Sequence, residues 1–167
     1  MTSSILDGKR ILTVDDEPDV LDLLEEEITG ACRDCKIEKA TTYEAAVKKL
    51  ESQIYDVVVL DIMGVRGFDL LDLAVSRQMK VAMLTSHALN PEALKRSFDM
   101  KARAYLPKDK LGEIVPFLED VLTYEFEPGW KILFNKLGGF FETWKEKSGY
   151  NYYQELKEKF KIDDRDI

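Results

Sequence analysis

Tyr55-Asp56-Val57-Val58-Val59-Leu60-Asp61 is an almost wholly apolar run that stops on a carboxylate. Consecutive β-branched residues favour an extended chain, and apolar side chains on both faces need cover from both sides. Such a strand belongs in the middle of a parallel sheet. Working outward, Arg10-Ile11-Leu12-Thr13-Val14, Lys36-Ile37-Glu38-Lys39-Ala40, Lys80-Val81-Ala82-Met83-Leu84 and Ala104-Tyr105-Leu106 read as four further strands. Helical spacing fills the gaps. Val20, Leu21, Leu24 and Ile28 recur between Pro18 and about Cys32, and Thr42 can cap a helix carrying Ala45, Ala46 and Leu50. Leu70, Leu71 and Ala74 share a face between Gly67 and Arg77. Asn90 can cap a helix over Pro91–Asp99, and a last helix runs from Leu111 to Tyr124. Strands alternating with helices predict a doubly wound α/β fold with a five-stranded parallel sheet.

The 167 residues are 45% hydrophobic and 34% charged, enough apolar matter for a real core. A net charge of −8 argues against nonspecific nucleic-acid binding, which needs a basic face. No apolar run reaches the roughly 18 residues of a membrane span, and Met1-Thr2-Ser3-Ser4-Ile5 lacks the pattern of a secretory signal. The expectation is a soluble, cytoplasmic protein with neither nucleic-acid nor membrane partner. Cys32 and Cys35 form a lone Cys-x-x-Cys, and His87 is the only histidine, so a four-ligand zinc site is not available. The pair is expected as two reduced thiols near the core, at the end of a helix, rather than as a thioredoxin-like redox pair.

The character changes near Glu127-Pro128-Gly129, which reads as punctuation between residues 1–124 and an extension, 125–167. The extension carries 8 Lys/Arg and 9 Asp/Glu. Trp130, Leu133, Phe134, Leu137, Phe141 and Trp144 share a helical face, with a break at Gly138-Gly139. A second short helix after Gly149 can carry Tyr153, Leu156 and Phe160. The aromatic stripe can pack back on the main domain or serve as a homodimer or partner surface.

In an open α/β sheet the site lies beyond the carboxyl ends of the strands. Asp15 and Asp16 follow the first strand, Asp61 ends the third, Thr85 and Ser86 the fourth, and Lys108 follows the fifth. Gathered carboxylates repel one another and raise each other's pKa unless a cation joins them; a hard divalent ion such as Mg²⁺ suits oxygen ligands. A hydroxyl and an ammonium facing the same point would suit a phosphoryl group. Taken singly, these residues are ordinary: carboxylates after strands cap helices, and a lysine or threonine at a strand end is commonly a surface group.

As a set, Val14-Asp15-Asp16-Glu17-Pro18, Val57–Asp61, Leu84-Thr85-Ser86 and Ala104-Tyr105-Leu106-Pro107-Lys108 resemble the CheY-like receiver domain of two-component response regulators, over residues 8–124. The resemblance implies a flavodoxin-like receiver fold followed by C-terminal helices. It implies that Asp61 is the phosphoacceptor for a histidine kinase or phosphotransfer protein. Asp15, Asp16, Asp61 and the Met63 carbonyl would hold Mg²⁺, while Thr85 and Lys108 would bind phosphoryl oxygens. Tyr105 matches the aromatic that turns inward when the threonine shifts, biasing the surface of the fourth helix, fifth strand and fifth helix. The sequence departs from the family in two places. Asp61-Ile62-Met63-Gly64-Val65-Arg66-Gly67 is a short loop without the usual Met-Pro, and Lys108 is followed by Asp109 where proline in a cis peptide is common. His87 occupies a position that influences attack by water in this family.

The expected function is a phosphorylation-switched signalling protein that acts through an unidentified downstream protein rather than DNA and is not a turnover enzyme. Two other readings stand beside it. One is a constitutive receiver-like scaffold. The other is an aspartyl-phosphate hydrolase, which expects a second Asp where Met63 stands.

Overall fold

The structure is a computed structural model and describes residues 3–86, 91–136 and 158. Five strands, β1 (Arg10–Val14), β2 (Lys36–Ala40), β3 (Val57–Asp61), β4 (Lys80–Thr85) and β5 (Ala104–Pro107), pair in parallel in the order β2-β1-β3-β4-β5. Helices α1 (Pro18–Thr29), α2 (Tyr43–Ser52), α3 (Gly67–Ser76), α4 (Pro91–Asp99) and α5 (Ile114–Thr123) follow the strands in turn. Strand order reverses after β2, so right-handed crossovers put α1 on one face and α2, α3 and α4 on the other. α5 returns to pack beside α1. The doubly wound five-stranded fold is therefore as expected from the sequence.

Every residue of β3 is buried, as an apolar central strand requires. Thr42 caps α2 by accepting the Ala45 N–H at 3.2 Å. Several helix limits differ from the expected ones. α1 stops at Thr29, where the Gly30 N–H closes onto Glu26, and α5 is preceded by a 3₁₀ turn over Lys108–Glu113.

Two expectations need correction. Glu127-Pro128-Gly129 does not interrupt the chain: it lies in the first turns of a further helix, α6 (Phe126–Lys136). Proline is tolerated there because first-turn N–H groups have no partner inside the helix. The interruption comes earlier, at Tyr124, whose backbone is extended (φ −104°, ψ 149°). The second correction concerns Cys32 and Cys35, which are joined as a disulfide rather than held as reduced thiols. The intervening left-handed residue Asp34 (φ 55°) turns the chain back on itself there. The readings placed on His87, Asn90, Leu137, Gly138-Gly139, Phe141, Trp144 and the second short helix lie outside the described residues.

α6 packs back on the main domain. Trp130, Leu133 and Phe134 are buried, and the Trp130 ring contacts Phe98 of α4 with centroids 5.5 Å apart. Its Nε1–H donates to the Ala102 carbonyl at 2.9 Å. This cover protects β5, the edge strand, which would otherwise present unpaired backbone to other chains. Trp130→Ala is expected to lower unfolding free energy by about 3–5 kcal/mol. The exposed Asn135→Ala should change it by less than about 0.5 kcal/mol. Urea denaturation of the two variants checks the contrast.

Candidate functional site

The sheet topology carries the singled-out residues to one end of the molecule. β1 and β3 are adjacent, so Asp15, just past β1, lies close to Asp61 at the end of β3. One carboxylate oxygen from each of Asp15, Asp16 and Asp61 can be chosen so that all three lie within 4.8 Å of one another. Asp15 and Asp61 are buried, while Asp16 is exposed. At this spacing two unit charges repel by roughly 3 kcal/mol at an effective dielectric constant of 20.

Lys108 answers part of that repulsion. Its Nζ lies 2.8 Å from Asp15 Oδ2, 3.4 Å from Asp61 Oδ1 and 3.9 Å from Glu17 Oε1. Asp15 Oδ1 accepts the Glu17 N–H at 2.9 Å, which fixes the carboxylate's orientation at the start of α1. Burial would lower the Lys108 pKa, but the hydrogen bond to Asp15 and the charges of Asp61, Asp15 and Glu17 outweigh it and raise it overall. Asp61 moves the opposite way from an ordinary ion-paired acid. Burial, then the Asp15 charge, push it up to about 6 against the counteracting pull of Lys108.

Three carboxylates against one ammonium leave excess negative charge on a partly open, all-oxygen cluster. These residues fit a hard divalent cation, with Asp15, Asp16 and Asp61 as the acidic ligands. Among the described residues, buried Asp15 Oδ2 has no hydrogen-bond partner apart from the Lys108 ion pair. The Met63 carbonyl accepts the Val65 N–H at 2.8 Å and keeps a second lone pair. The Met63 side chain is exposed.

Thr85 ends β4 opposite Pro107 of β5, one residue beyond the Asp61–Leu84 pair. It is therefore at the same end of the sheet, and it is buried. Tyr105, three residues before Lys108, is fully buried in β5 opposite Met83. The Lys108–Asp109 peptide is trans.

Sequence reasoning missed three contributors. Glu17 adds a further acid beside Lys108. Gly64 (φ 77°) passes so close to Asp16 that a Cβ there would lie 2.5 Å from its Oδ2. A Cβ on Gly67 would run into the Asp61 backbone oxygen and stand 2.8 Å from Ile62 Cα. The two glycines, three apart in a loop seven residues from Asp61 to Gly67, were the available signal. They show how the loop closes without proline: Gly64 and Arg66 (φ 54°) both take left-handed conformations.

The chain belongs to the response regulator receiver domain family, whose model matches residues 11–118. The CheY-like receiver domain protein of Methanospirillum hungatei JF-1 is similar at 27% identity and TM-score 0.55, over 67% of this chain and 94% of that one. Response regulator DrrB of Thermotoga maritima, an OmpR/PhoB homolog, shares the fold at 22% identity and TM-score 0.60. That match covers 71% of this chain and 57% of DrrB. The phosphorylated cyanobacterial phytochrome response regulator RcpA shares it at 19% identity and TM-score 0.59, over 67% and 91% of the two chains. No curated protein matches the sequence. No helix among the described residues is long and apolar enough to cross a membrane.

The raised Asp61 pKa has a stability consequence. A carboxyl that titrates near 6 when folded and near 4 when unfolded stabilises the fold fully below about pH 4. That contribution is lost as pH rises through about 6. In the presence of a chelator, Asp61→Asn should be more stable than the parent at pH 7.5, by on the order of 3 kcal/mol. The gap should close below pH 4. Urea denaturation across this pH range measures it.

Proposed function

We propose that this receiver is switched by phosphorylation of Asp61, with a histidine kinase or phosphotransfer protein as donor. The observation that carries the reading is Lys108, held within 3.4 Å of Asp61 and 2.8 Å of Asp15 beside a three-carboxylate cluster. In this reading Asp15, Asp16, Asp61 and the Met63 carbonyl would hold Mg²⁺, which would supply charge neutralisation to the transferring phosphoryl group. An Asp61 carboxylate oxygen attacks phosphorus in line, the bond from phosphorus to the donor breaks, and an acyl phosphate forms. Lys108 shifts from the carboxylates toward a phosphoryl oxygen, and the Thr85 hydroxyl donates to another. The chain's contribution is positioning and electrostatics, which is what phosphoryl transfer chiefly requires.

The protein on this reading assists its own phosphorylation and hydrolysis but turns over no separate substrate. Tyr105 responds to the movement of Thr85 as the switch residue. Residues 1–124 are the receiver, and residues 125–167 act in output through contacts with a downstream protein or a second copy. An acidic chain is poorly suited to a nucleic-acid output, with a net charge of −8. A cytoplasmic location goes with a kinase donor.

Incubation with acetyl phosphate and Mg²⁺ should give one phosphoryl adduct by intact-protein mass. The adduct should require Mg²⁺ and be absent in Asp61→Ala. Lys108→Ala should slow its formation by at least about 10-fold, a loss of roughly 1.4 kcal/mol or more of transition-state stabilisation. No adduct under any condition would leave a constitutive scaffold as the better description.

A further inference from the structure

The Cys32-Arg33-Asp34-Cys35 turn has no part in the chemistry at Asp61. Its two cysteines are the only ones in the chain, and they are bonded to each other. A ring closed over four residues constrains the unfolded chain less than a longer loop, which makes this bond a weak staple. It is also within reach of solvent: Cys32 is buried, but Cys35 is half-buried and both residues between them are exposed. The surroundings suit the open form as well as the closed one. Cys32 Sγ lies 3.1 Å from the Ile28 carbonyl oxygen, where a thiol would donate a hydrogen bond. The pair follows the carboxyl end of α1, whose partial negative charge disfavours a thiolate. Activated catalytic thiols sit at the opposite end of a helix. Such a placement fits a pair that changes state with its surroundings, not a dithiol that turns over substrates.

What the closed turn holds is the lead-in to β1. Asp7 Oδ1 accepts the Arg33 N–H at 2.7 Å, and the Arg33 carbonyl accepts the Gly8 N–H at 2.9 Å. Ser4 completes the anchor: its N–H donates to Asp7 Oδ2 at 3.1 Å, and its hydroxyl donates to Glu119 of α5 at 3.0 Å. The Arg33 N–H, and after it the Ser4 N–H, hold the Asp7 carboxyl below the usual carboxylate range, so it accepts both bonds as an anion. Arg33 can make its two bonds because the turn keeps Asp34 left-handed, at φ 55°. An aspartate outside a closed ring gains by leaving that conformation for the right-handed region.

We propose that Cys32–Cys35 is a reversible thiol–disulfide site, exchanging with small thiols of the glutathione class, and that its opening loosens residues 4–8. A thiolate of the small thiol attacks Cys35 Sγ, the more accessible sulfur. The bond to Cys32 breaks, and Cys32 Sγ leaves with the electron pair and takes a proton from water. A second small thiolate attacks the small-molecule sulfur of the mixed disulfide, and Cys35 Sγ leaves and is protonated in turn. Two electrons pass to the protein, and the two small thiols end as one disulfide. The reverse sequence, starting from the small disulfide, closes the bond. With the ring open, Asp34 relaxes, and the Arg33 N–H and carbonyl no longer both face Asp7 and Gly8.

Iodoacetamide trapping of the folded full chain in mixtures of reduced and oxidised glutathione, read by intact mass, tests the site. Both cysteines should become alkylated together as reduced glutathione is raised, and should return to the disulfide when oxidised glutathione is added. The circular dichroism spectrum should stay the same throughout. In the reduced chain the Gly8 and Arg33 amides should exchange hydrogen at least about 5-fold faster, with β3 unchanged. Cys35→Ser should show the fast exchange in every buffer. Cys32→Ser should take up one glutathione on Cys35 faster than Cys35→Ser does on Cys32; equal rates would overturn Cys35 as the point of attack. Cysteines that react only in denaturant, or that stay alkylatable in excess oxidised glutathione, would overturn the reversible site. Full alkylation with unchanged exchange at Gly8 and Arg33 would overturn its hold on residues 4–8.

Discussion

The Lys108 ammonium lies between Asp15 and Asp61, and the arrangement of the sheet's carboxyl end turns on it. Two buried carboxylates with a third nearby would not stay charged together without a cation. One lysine is too little to neutralise them and enough to keep the cluster compatible with folding. The consequence is a site held short of electrostatic balance. Asp61 shows this directly, with a pKa pushed up to about 6 although an ammonium is beside it. A divalent cation or a phosphoryl–cation pair would change the charge balance of every group in contact with Lys108.

That imbalance is held in place by backbone. Glu17 N–H orients Asp15, and the Gly64 and Gly67 backbones press against Asp16 and Asp61 with no space for side chains. The loop departs from the family pattern in sequence, yet its left-handed residues bring it back over the cluster. Away from the site, β5 joins Lys108 to the edge that α6 covers.

Much of this was legible in the chain before folding. Period-two and period-3.6 patterns gave the alternation of strands and helices, since burial on one or both faces is written directly into apolar spacing. The strand-end residues Asp15, Asp16, Asp61, Thr85 and Lys108 could be singled out because α/β sheets gather their sites at carboxyl ends. Glu127-Pro128-Gly129 misled for a local reason. Proline and glycine mark breaks in most contexts, but at a helix start they do not, and only the docking of Trp130 decides that a helix starts there.

Sequence by itself determined the order of elements, the apolar central strand and the set of polar groups delivered to one end of the sheet. Those follow from short-range pattern and from the rule that apolar faces must be covered. Tertiary structure decided what depends on distances between remote segments. It decided that Lys108 reaches both Asp15 and Asp61, and that Glu17 and two glycines help shape the cluster. Cys32 and Cys35 are near enough to bond, and α6 folds back over β5 rather than extending from α5. No local pattern encodes these, because each is set by the packing of groups whose neighbours in space are not their neighbours in the chain.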